Sequence, residues 1–332
     1  MLIEFRIELS EQLAIRNPTS KIFFHLYLSN WLEQTLPTLA PSTQVSYTRN
    51  VNKKIIPYFA EHPIELNKLR PAHISKYYHE LLSQGLSPNS VRRIHANIHK
   101  ALKQAVIDGY IQRNPSEGLT ISNPERYCAQ YFSPEECRTL LVFIKGTPLE
   151  IPITLAILLG LRRSELLGLK WSAFDFETHI VRIQNSLQRI HGEIIERQTL
   201  KRKSSHRTLP ISPELEAILE PYRKGEGYVC IHSDGLPYTP DQLYCEFQKA
   251  LTDAGLRHIR LHDLRHTCAA LLLQNKIPLV EISNYLGHSS LAITMDLYGH
   301  LEFSSKEACA SVLAEKVLVN HRSLRLNILS RE

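Results

Sequence analysis

The chain has 332 residues, 43% of them hydrophobic, so it can bury a substantial core and is long for a single domain. Its longest apolar run, residues 151–161, contains Pro152 and is too short to cross a bilayer, and residues 1–20 do not resemble a secretory leader. We therefore exclude an integral membrane protein and expect a cytoplasmic one. The net charge of +6 is concentrated in residues 21–127, where 13 Lys and Arg face 7 Asp and Glu, as expected of a nucleic-acid-binding domain.

Apolar residues recur at helical spacing throughout residues 21–123 and predict a bundle of four helices. The helices are expected to begin near Phe24, Pro41, Pro71 and Pro88. Residues 1–20 lack this period and are interpreted as an N-terminal extension.

The fourth helix of this bundle carries basic residues on its exposed face, opposite its apolar stripe. Such a charge run is often only a solvated surface. The alternative is contact with DNA phosphates, which gives affinity and salt dependence without selecting a base sequence. We favour DNA contact, with His95 and His99 in the same bundle, through a cationic face that consists of Lys53, Lys54, Arg92, Arg93, Lys100 and Lys103.

Residues 124–132 have no periodicity and are predicted to be a linker. A second domain then opens at Ser133, where a serine followed three residues later by Glu136 forms a capping box. We assign residues 133–320 to this domain and residues 321–332 to a tail. Six scattered cysteines without a Cys-x-x-Cys pair argue against a zinc knuckle or a disulfide framework.

The second domain changes from helical to alternating periodicity between residues 178 and 210, which predicts a small antiparallel sheet in a mainly α domain. A turn is expected at His191-Gly192, and a basic loop, residues 200–207, precedes a short final strand at residues 208–210. Helices are predicted at residues 213–223 and 240–254. Residues 228–232 are compatible with a strand between these two helices.

The segment from residue 261 to residue 300 contains, in this order, His262, Arg265, His288 and Tyr298. On a helix beginning near His262, residues three apart share one face, so His262 and Arg265 could point at the same ligand. Arginine and histidine suit a phosphate, and tyrosine is a candidate covalent nucleophile. These residues predict a phosphodiester site. A two-histidine zinc helix at residues 262–266 is disfavoured, because Arg265 would face the cation and the acid is Asp263 rather than Glu.

His-x-x-Arg-His at residues 262–266, Leu-Gly-His at 286–288 and Tyr298 resemble the C-terminal half of the tyrosine recombinase family, the phage integrases. Leu-Gly-Leu-Arg-Arg-Ser-Glu-Leu-Leu at residues 159–167 is similar to that family's first arginine box, and the likeness spans residues 21–320. The resemblance implies an N-terminal SAM-like core-binding bundle and a catalytic domain with the DNA breaking-rejoining enzyme fold.

The resemblance also implies a role for each residue in site-specific recombination. Tyr298 would attack the scissile phosphorus and form a 3′-phosphotyrosine, Arg162 and Arg265 would clamp the two non-bridging oxygens, and His262 and His288 would donate to the phosphate or move a proton. Glu165 would orient an arginine or a histidine. No metal and no other cofactor would be needed, since the arginines supply the charge and the exchange of esters needs no ATP.

The general acid that protonates the leaving oxygen is implied to be a lysine of the basic loop. The spacing to Pro210 favours Lys201 over Lys203, although the threonine that often follows this lysine in the family is replaced by Arg202. Arg202 and Lys203 are then expected to contact DNA.

The expected partner is double-stranded DNA at core sites, clasped by the two domains. The protein would be a monomer in its free form and a tetramer on DNA, would act at the nucleoid through a Holliday junction, and could use an accessory directionality factor. A C-terminal helix at residues 304–319 would dock on a neighbouring subunit or pack on its own domain. Two alternatives stay open here: a type IB topoisomerase-like nicking and resealing enzyme, and a catalytically silent DNA-binding regulator.

Overall fold

The structure is a computed structural model that describes residues 21–121, 130–190, 193–197 and 206–287. The chain divides into two compact units, with the boundary between residues 127 and 128. Across these described ranges, no helix is both long and apolar enough to cross a membrane.

The first unit is helical, as the periodicity predicted. Its helices are α1 (Phe24–Thr35), α2 (Pro41–Asn50), α3 (Ile56–Glu61), α4 (Pro71–Ser83) and α5 (Pro88–Ile107). One π-helical turn, Val51–Ile55, joins α2 to α3, so the predicted second helix continues through a local widening to Glu61. The short 3₁₀ segments Leu36–Thr38 and Leu66–Lys68 complete the connections.

The bundle core is apolar and contains one buried amide pair. The apolar stripe of α5 includes Val91, Ile94 and Ile98, each at most 1% exposed. Beside this stripe, the side-chain amide of Asn97 accepts a hydrogen bond of 3.0 Å from Asn50 on α2. A buried amide needs such a partner. The pair therefore fixes how α2 and α5 face each other.

The second unit contains α6 (Pro134–Phe143), α7 (Glu150–Leu158), α8 (Arg163–Leu167), α9 (Pro213–Leu219), α10 (Pro240–Asp253), α11 (Asp263–Gln274) and α12 (Leu279–Leu286). Serine or threonine followed by proline starts three of these helices, at Ser133, Ser212 and Thr239, and each hydroxyl accepts a backbone N–H of the first turn. The capping box predicted at Ser133 and Glu136 is confirmed.

The strands of the second unit are β1 (Phe174–Asp175), β2 (Ile180–Ile183), β3 (Ser186–Ile190), β4 (Glu193–Arg197) and β5 (Arg207–Pro210). They form a three-stranded antiparallel sheet in the order β1-β2-β5 and a β3-β4 pair. Strand β5 is fixed on β2 by the register Ile183↔Arg207 and Val181↔Leu209. The final strand therefore begins at Arg207, one residue earlier than predicted.

The strand suggested for residues 228–232 is wrong. This segment makes only the isolated bridges Lys170↔Tyr228 and Ile231↔Pro237. The reason is that its two ends pair with different stretches of the chain, Tyr228 with Lys170 and Ile231 with Pro237 across a tight turn, so no continuous ladder forms. Similarly, the helix predicted for residues 213–223 tightens to a 3₁₀ turn at Glu220–Tyr222, where Pro221 lacks the N–H that an α-helical bond requires.

Helix packing brings three distant chain segments together in the second unit. Helix α11 packs against both α7 and α12. Gly168, at the end of α8, lies so close to β3 that a Cβ built on it would come within 2.8 Å of the backbone of Ser186. These contacts place the start of α8, the first turn of α11 and the end of α12 side by side.

Candidate active site

Arg162 is held at the start of α8 by Glu165. The backbone N–H of Arg162 donates to Oε2 of Glu165 at 3.0 Å, and its Nη1 donates to Oε1 at 2.6 Å. The carboxylate thus fixes both the main chain and the guanidinium of the same residue. The Arg162 side chain stays 31% exposed, whereas Glu165 is 2% exposed.

Arg265 lies in the first turn of α11 and is almost fully buried, with 2% of its surface exposed. Its Nη1 donates to the carbonyl of Gly160 at 2.7 Å and its Nη2 donates to the carbonyl of Leu286 at 2.6 Å. Burial, and then the positive charge of Arg162, lower the pKa of the Arg265 guanidinium to about 9. The group therefore remains protonated at neutral pH.

The two guanidiniums converge on one place, the C-terminal end of α12. Arg162 Nη2 donates to the carbonyl of Gly287 at 2.6 Å, next to the Leu286 carbonyl that Arg265 contacts. Gly287 ends the helix in the left-handed conformation, with φ of 67°. His288 is the next residue in the sequence. A guanidinium has five N–H donors, so these carbonyl bonds are compatible with further bonds to a phosphate.

A third arginine, Arg207, joins this site and was missed in the sequence. Its Nη2 donates to Oε2 of Glu165 at 3.0 Å, and its side chain is only 6% exposed. The alternation of β5 puts Arg207 on the same face as the buried Leu209. A charged residue on the core face of a strand requires a partner of opposite charge, and this is the signal that could have identified it.

The charge of Glu165 is maintained by its arginines. Burial alone would raise the pKa of this carboxyl, but the charge and hydrogen bond of Arg207, followed by Arg162, hold the pKa below its usual range. The site therefore combines three guanidiniums and one ionised carboxylate within the described residues, an arrangement suited to a phosphodiester.

His262 lies at the N-terminal boundary of α11, with part of its surface open to solvent and the rest packed against the protein. The sequence predicted that His262 and Arg265 share a helix face, and the structure puts both at the start of the same helix, one open to solvent and the other buried. The ring of His262 meets that of His266 edge-on, with centroids 5.1 Å apart. Desolvation against the protein, followed by the charges of His266 and Arg265, lowers the pKa of His262, so the imidazole is neutral at pH 7.

Asp263 fixes the turn that carries His262. Its carboxylate accepts the backbone N–H of Arg260 at 2.9 Å and pairs with the Arg260 guanidinium at 2.7 Å. The remaining predicted site residues lie outside the described residues; they are Lys201, Arg202, Lys203, His288 and Tyr298.

The cationic face predicted on the first unit is distributed over α5 and the π turn. Arg93, Lys100 and Lys103 are exposed on one side of α5, and Lys53 and Lys54 lie in the π turn. The Lys100 ammonium lies 5.3 Å from the centroid of the Tyr47 ring. Arg92, in contrast, donates to the carbonyl of Ile121 at 3.2 Å.

The two histidines near the cationic face are engaged within the bundle. His95 Nδ1 is hydrogen-bonded to the hydroxyl of Tyr78 at 2.9 Å, and His99 Nδ1 is hydrogen-bonded to that of Ser116 at 3.0 Å. Both rings therefore help to hold α5 against the rest of the first unit.

Residues 130–305 match the model of the Phage integrase family, and residues 23–82 match that of the Phage integrase, N-terminal SAM-like domain. Since the first match covers more than half of the sequence, the chain belongs to the phage integrase family. It is a tyrosine-type site-specific DNA recombinase, and neither the topoisomerase nor the silent regulator is favoured.

Two curated relatives are named as a tyrosine recombinase and an integrase. A tyrosine recombinase XerC-like protein of Caldanaerobacter subterraneus subsp. tengcongensis is 29% identical over 307 residues, covering 82% of this chain and 78% of the relative. The ICEBs1 integrase of Bacillus subtilis is 28% identical over 279 residues, covering 79% of this chain and 75% of the relative.

Solved structures share the fold. The Tn1549 transposon integrase in complex with a circular intermediate DNA superposes with a TM-score of 0.76 at 19% identity, covering 86% of this chain and 99% of that chain. A lambda integrase dimer bound to a COC′ core site gives a TM-score of 0.66 at 18% identity, covering 88% of this chain and 81% of that chain. The predicted pairing of a helical SAM-like domain with an integrase catalytic domain is confirmed.

Proposed function

We propose that this recombinase cleaves DNA at the end of α12, where Arg162 and Arg265 bind the two non-bridging oxygens of one scissile phosphate. The observation that carries the proposal is the convergence of both guanidiniums on the adjacent carbonyls of Leu286 and Gly287. Forked, planar donors suit a phosphate better than a point charge does. Donors fixed before the reaction stabilise the charge that develops in the transition state.

Tyr298 is the proposed nucleophile. Its hydroxyl would attack the phosphorus and displace the 5′ oxygen, so one phosphate ester is exchanged for another and the protein is joined to a 3′ phosphate. A tyrosine with its ordinary pKa of about 10 is mostly protonated at neutral pH. Its proton must therefore pass to a neighbouring base, and we propose His262, because its imidazole is neutral at pH 7 and has a ring nitrogen free of a proton.

The leaving 5′ oxygen needs a proton from an acid, for which we propose Lys201, with Lys203 as the alternative. His288 follows Gly287 directly in the sequence and would donate to the phosphate. Glu165 would orient Arg162 without touching the phosphate, which it would repel. The arginines supply the positive charge, so the proposed reaction needs neither a metal nor ATP.

The DNA partner is proposed to contact both units. Residues 21–123 would form the core-binding domain, residues 124–132 the linker and residues 133–320 the catalytic domain. The cationic face of the first domain would contact the phosphate backbone. Arg202 and Lys203 of the catalytic domain would contact it as well. Lambda integrase has been solved as a tetramer bound to a Holliday junction. By analogy we propose a tetramer on core sites at the nucleoid, formed from free monomers, with a C-terminal helix docked on a neighbouring subunit.

A DNA substrate nicked close to the cleavage site tests this proposal, because the short product diffuses away and leaves the covalent adduct trapped. The wild-type protein should form the adduct. Tyr298→Phe should bind the same DNA with unchanged affinity and form none, since it lacks only the hydroxyl. Peptide mapping should place the DNA on Tyr298. An adduct formed by the phenylalanine variant would refute the assignment.

A further inference from the structure

Glu165 is shared between two arginines of very different exposure. Its Oε1 binds Arg162 Nη1, while its Oε2 accepts both the Arg162 backbone N–H and Arg207 Nη2. Arg207 comes from β5, a separate element whose register against β2 is fixed by backbone pairing. The carboxylate is 2% exposed and so depends on these donors in place of water.

We propose that Arg207 is a positioning residue for DNA cleavage, which keeps Glu165 ionised and fixed so that Glu165 aims the Arg162 guanidinium at the scissile phosphate. The inference rests on the proposed role of Arg162. Loss of Arg207 would leave Oε2 with the Arg162 backbone N–H as its described partner and would remove one of the two guanidiniums that bind Glu165. Glu165 would then bind a proton more easily and hold Arg162 less firmly.

The electrostatics of the cluster agree with this geometry. The charged groups that act on Glu165 are Arg207 from β5, Arg162 at the start of its own helix, and Arg265 from α11. Of these, Arg207 contributes most to holding the pKa of Glu165 down against burial. Arg162 is partly exposed, so solvent weakens its share.

The test is the pH profile of adduct formation on the nicked substrate, measured in a single turnover between pH 6 and pH 9. Arg207→Gln should form the adduct on the order of 10²-fold more slowly than wild type at pH 6, since a misplaced donor costs about that factor. The deficit relative to wild type should shrink as pH rises, because Glu165 then ionises again. Arg207→Lys keeps the positive charge, so the ratio of its rate of adduct formation to that of wild type should not change with pH.

The neighbouring strand offers a matched control. Arg182 on β2 is opposite Thr208 in the register and pairs with Asp175 at the surface. Arg182→Gln should therefore behave like wild type at every pH. The double variant Glu165→Gln with Arg207→Gln should be slow at all pH values, because the titrating carboxyl is gone.

The outcomes separate the inference from the proposed function. If wild type forms no adduct at Tyr298, or if Arg162→Gln cleaves normally, the proposed function fails. If both behave as expected but Arg207→Gln matches wild type, or is slowed equally at all pH values, this inference alone is overturned. Should Arg207→Gln fail to fold, Arg207→Lys carries the test: normal DNA affinity with a cleavage rate that keeps a constant ratio to wild type between pH 6 and pH 9 supports the inference, and a ratio that changes with pH contradicts it.

Discussion

The carbonyl oxygens of Gly160, Leu286 and Gly287 determine where the two arginines of the site lie. Two of these residues are glycines in the left-handed region, with φ of 58° at Gly160 and 67° at Gly287. An added Cβ at Gly160 would also come within 2.3 Å of Leu286 Cδ2, so the buried Leu286 side chain would have to move. The glycines of the arginine box and of the Leu-Gly-His motif therefore contribute to the geometry of the clamp through their backbones.

Gly160→Ala should lower the free energy of unfolding by about 2–4 kcal/mol, from the combined cost of a non-glycine residue at positive φ and of overpacking against Leu286. Urea denaturation measures this change. Gly255→Ala is the matched control, since Gly255 has a similar φ of 66° and nothing within 4 Å of an added Cβ. The control should lose only the conformational part, and equal losses in both variants would exclude the packing contribution.

At the scale of elements, the exposed side of α5 and the π turn carry the predicted DNA contacts. Arg93 and Lys103 lie on the exposed stripe of α5, and Lys100 is positioned by the Tyr47 ring. Each phosphate contact releases condensed counterions from the DNA, so its loss changes the salt dependence of binding as well as the affinity.

The double variant Arg93→Gln with Lys103→Gln should reduce the slope of log affinity against log salt concentration by about 2, roughly 0.9 for each lost phosphate contact. Fluorescence anisotropy with a labelled duplex at several salt concentrations measures this slope. Lys76→Gln, an exposed lysine on α4 of the same unit, is the control and should leave the slope unchanged. An unchanged slope in the double variant would remove α5 from the DNA interface.

The elements that could be predicted from the sequence are those with local signals. Ser133-Pro134 predicts the start of its helix, because the serine hydroxyl accepts a backbone N–H and proline has a fixed φ. The apolar stripe of α5 predicts which face of that helix is buried. The π turn at Val51–Ile55 gave no such signal, because its apolar residues fit an ordinary helix as well. The suggested strand at residues 228–232 failed because its two ends pair with different stretches of the chain, which the β propensity of its residues does not reveal.

The candidate site could be predicted from the sequence only where it consists of side chains in a recognisable motif. Arg162, Glu165, His262 and Arg265 were identified from motif and spacing. Arg207 depends on a pairing 42 residues apart in sequence, and the three carbonyls depend on how α7 and α12 pack against α11. Backbone acceptors have no residue-type signal, so only the tertiary structure reveals them.

At the scale of the whole molecule, the excess of basic residues and the buried arginine cluster lie in different units. The excess of basic residues lies in residues 21–127, whereas the arginine cluster with Glu165 lies in the second unit. Substitutions in the first unit should therefore alter affinity and salt dependence, and those in the arginine cluster should alter the cleavage rate.

Protein stability should fall as pH decreases from 7.5 to 5.5. Burial lowers the pKa of His95 and of His266, and desolvation lowers that of His262, so the unfolded chain takes up protons first, near pH 6.5. What these three histidines contribute to the free energy of unfolding is therefore fully present above pH 6.5. It is lost progressively as the pH falls from 6.5 toward their folded pKa values. His232 acts in the opposite direction, because Asp234 and Glu246 raise its pKa.

The urea midpoint at several pH values measures this dependence. His266→Asn should flatten the slope between pH 7.5 and 5.5, whatever its effect on stability at pH 7.5. A midpoint that rises on acidification would show that His232 outweighs the other three histidines.

The central claim is that Arg162 neutralises charge on the scissile phosphate, and a substrate with a neutral methylphosphonate at that position tests it most directly. On ordinary DNA, Arg162→Gln should lower the rate of adduct formation by on the order of 10²–10³, the cost of losing one transition-state donor. Arg163→Gln, an exposed arginine one residue away, should not. On the methylphosphonate, where one negative oxygen is replaced by a methyl group, the defect of Arg162→Gln should largely disappear. An equal defect on both substrates would contradict the account.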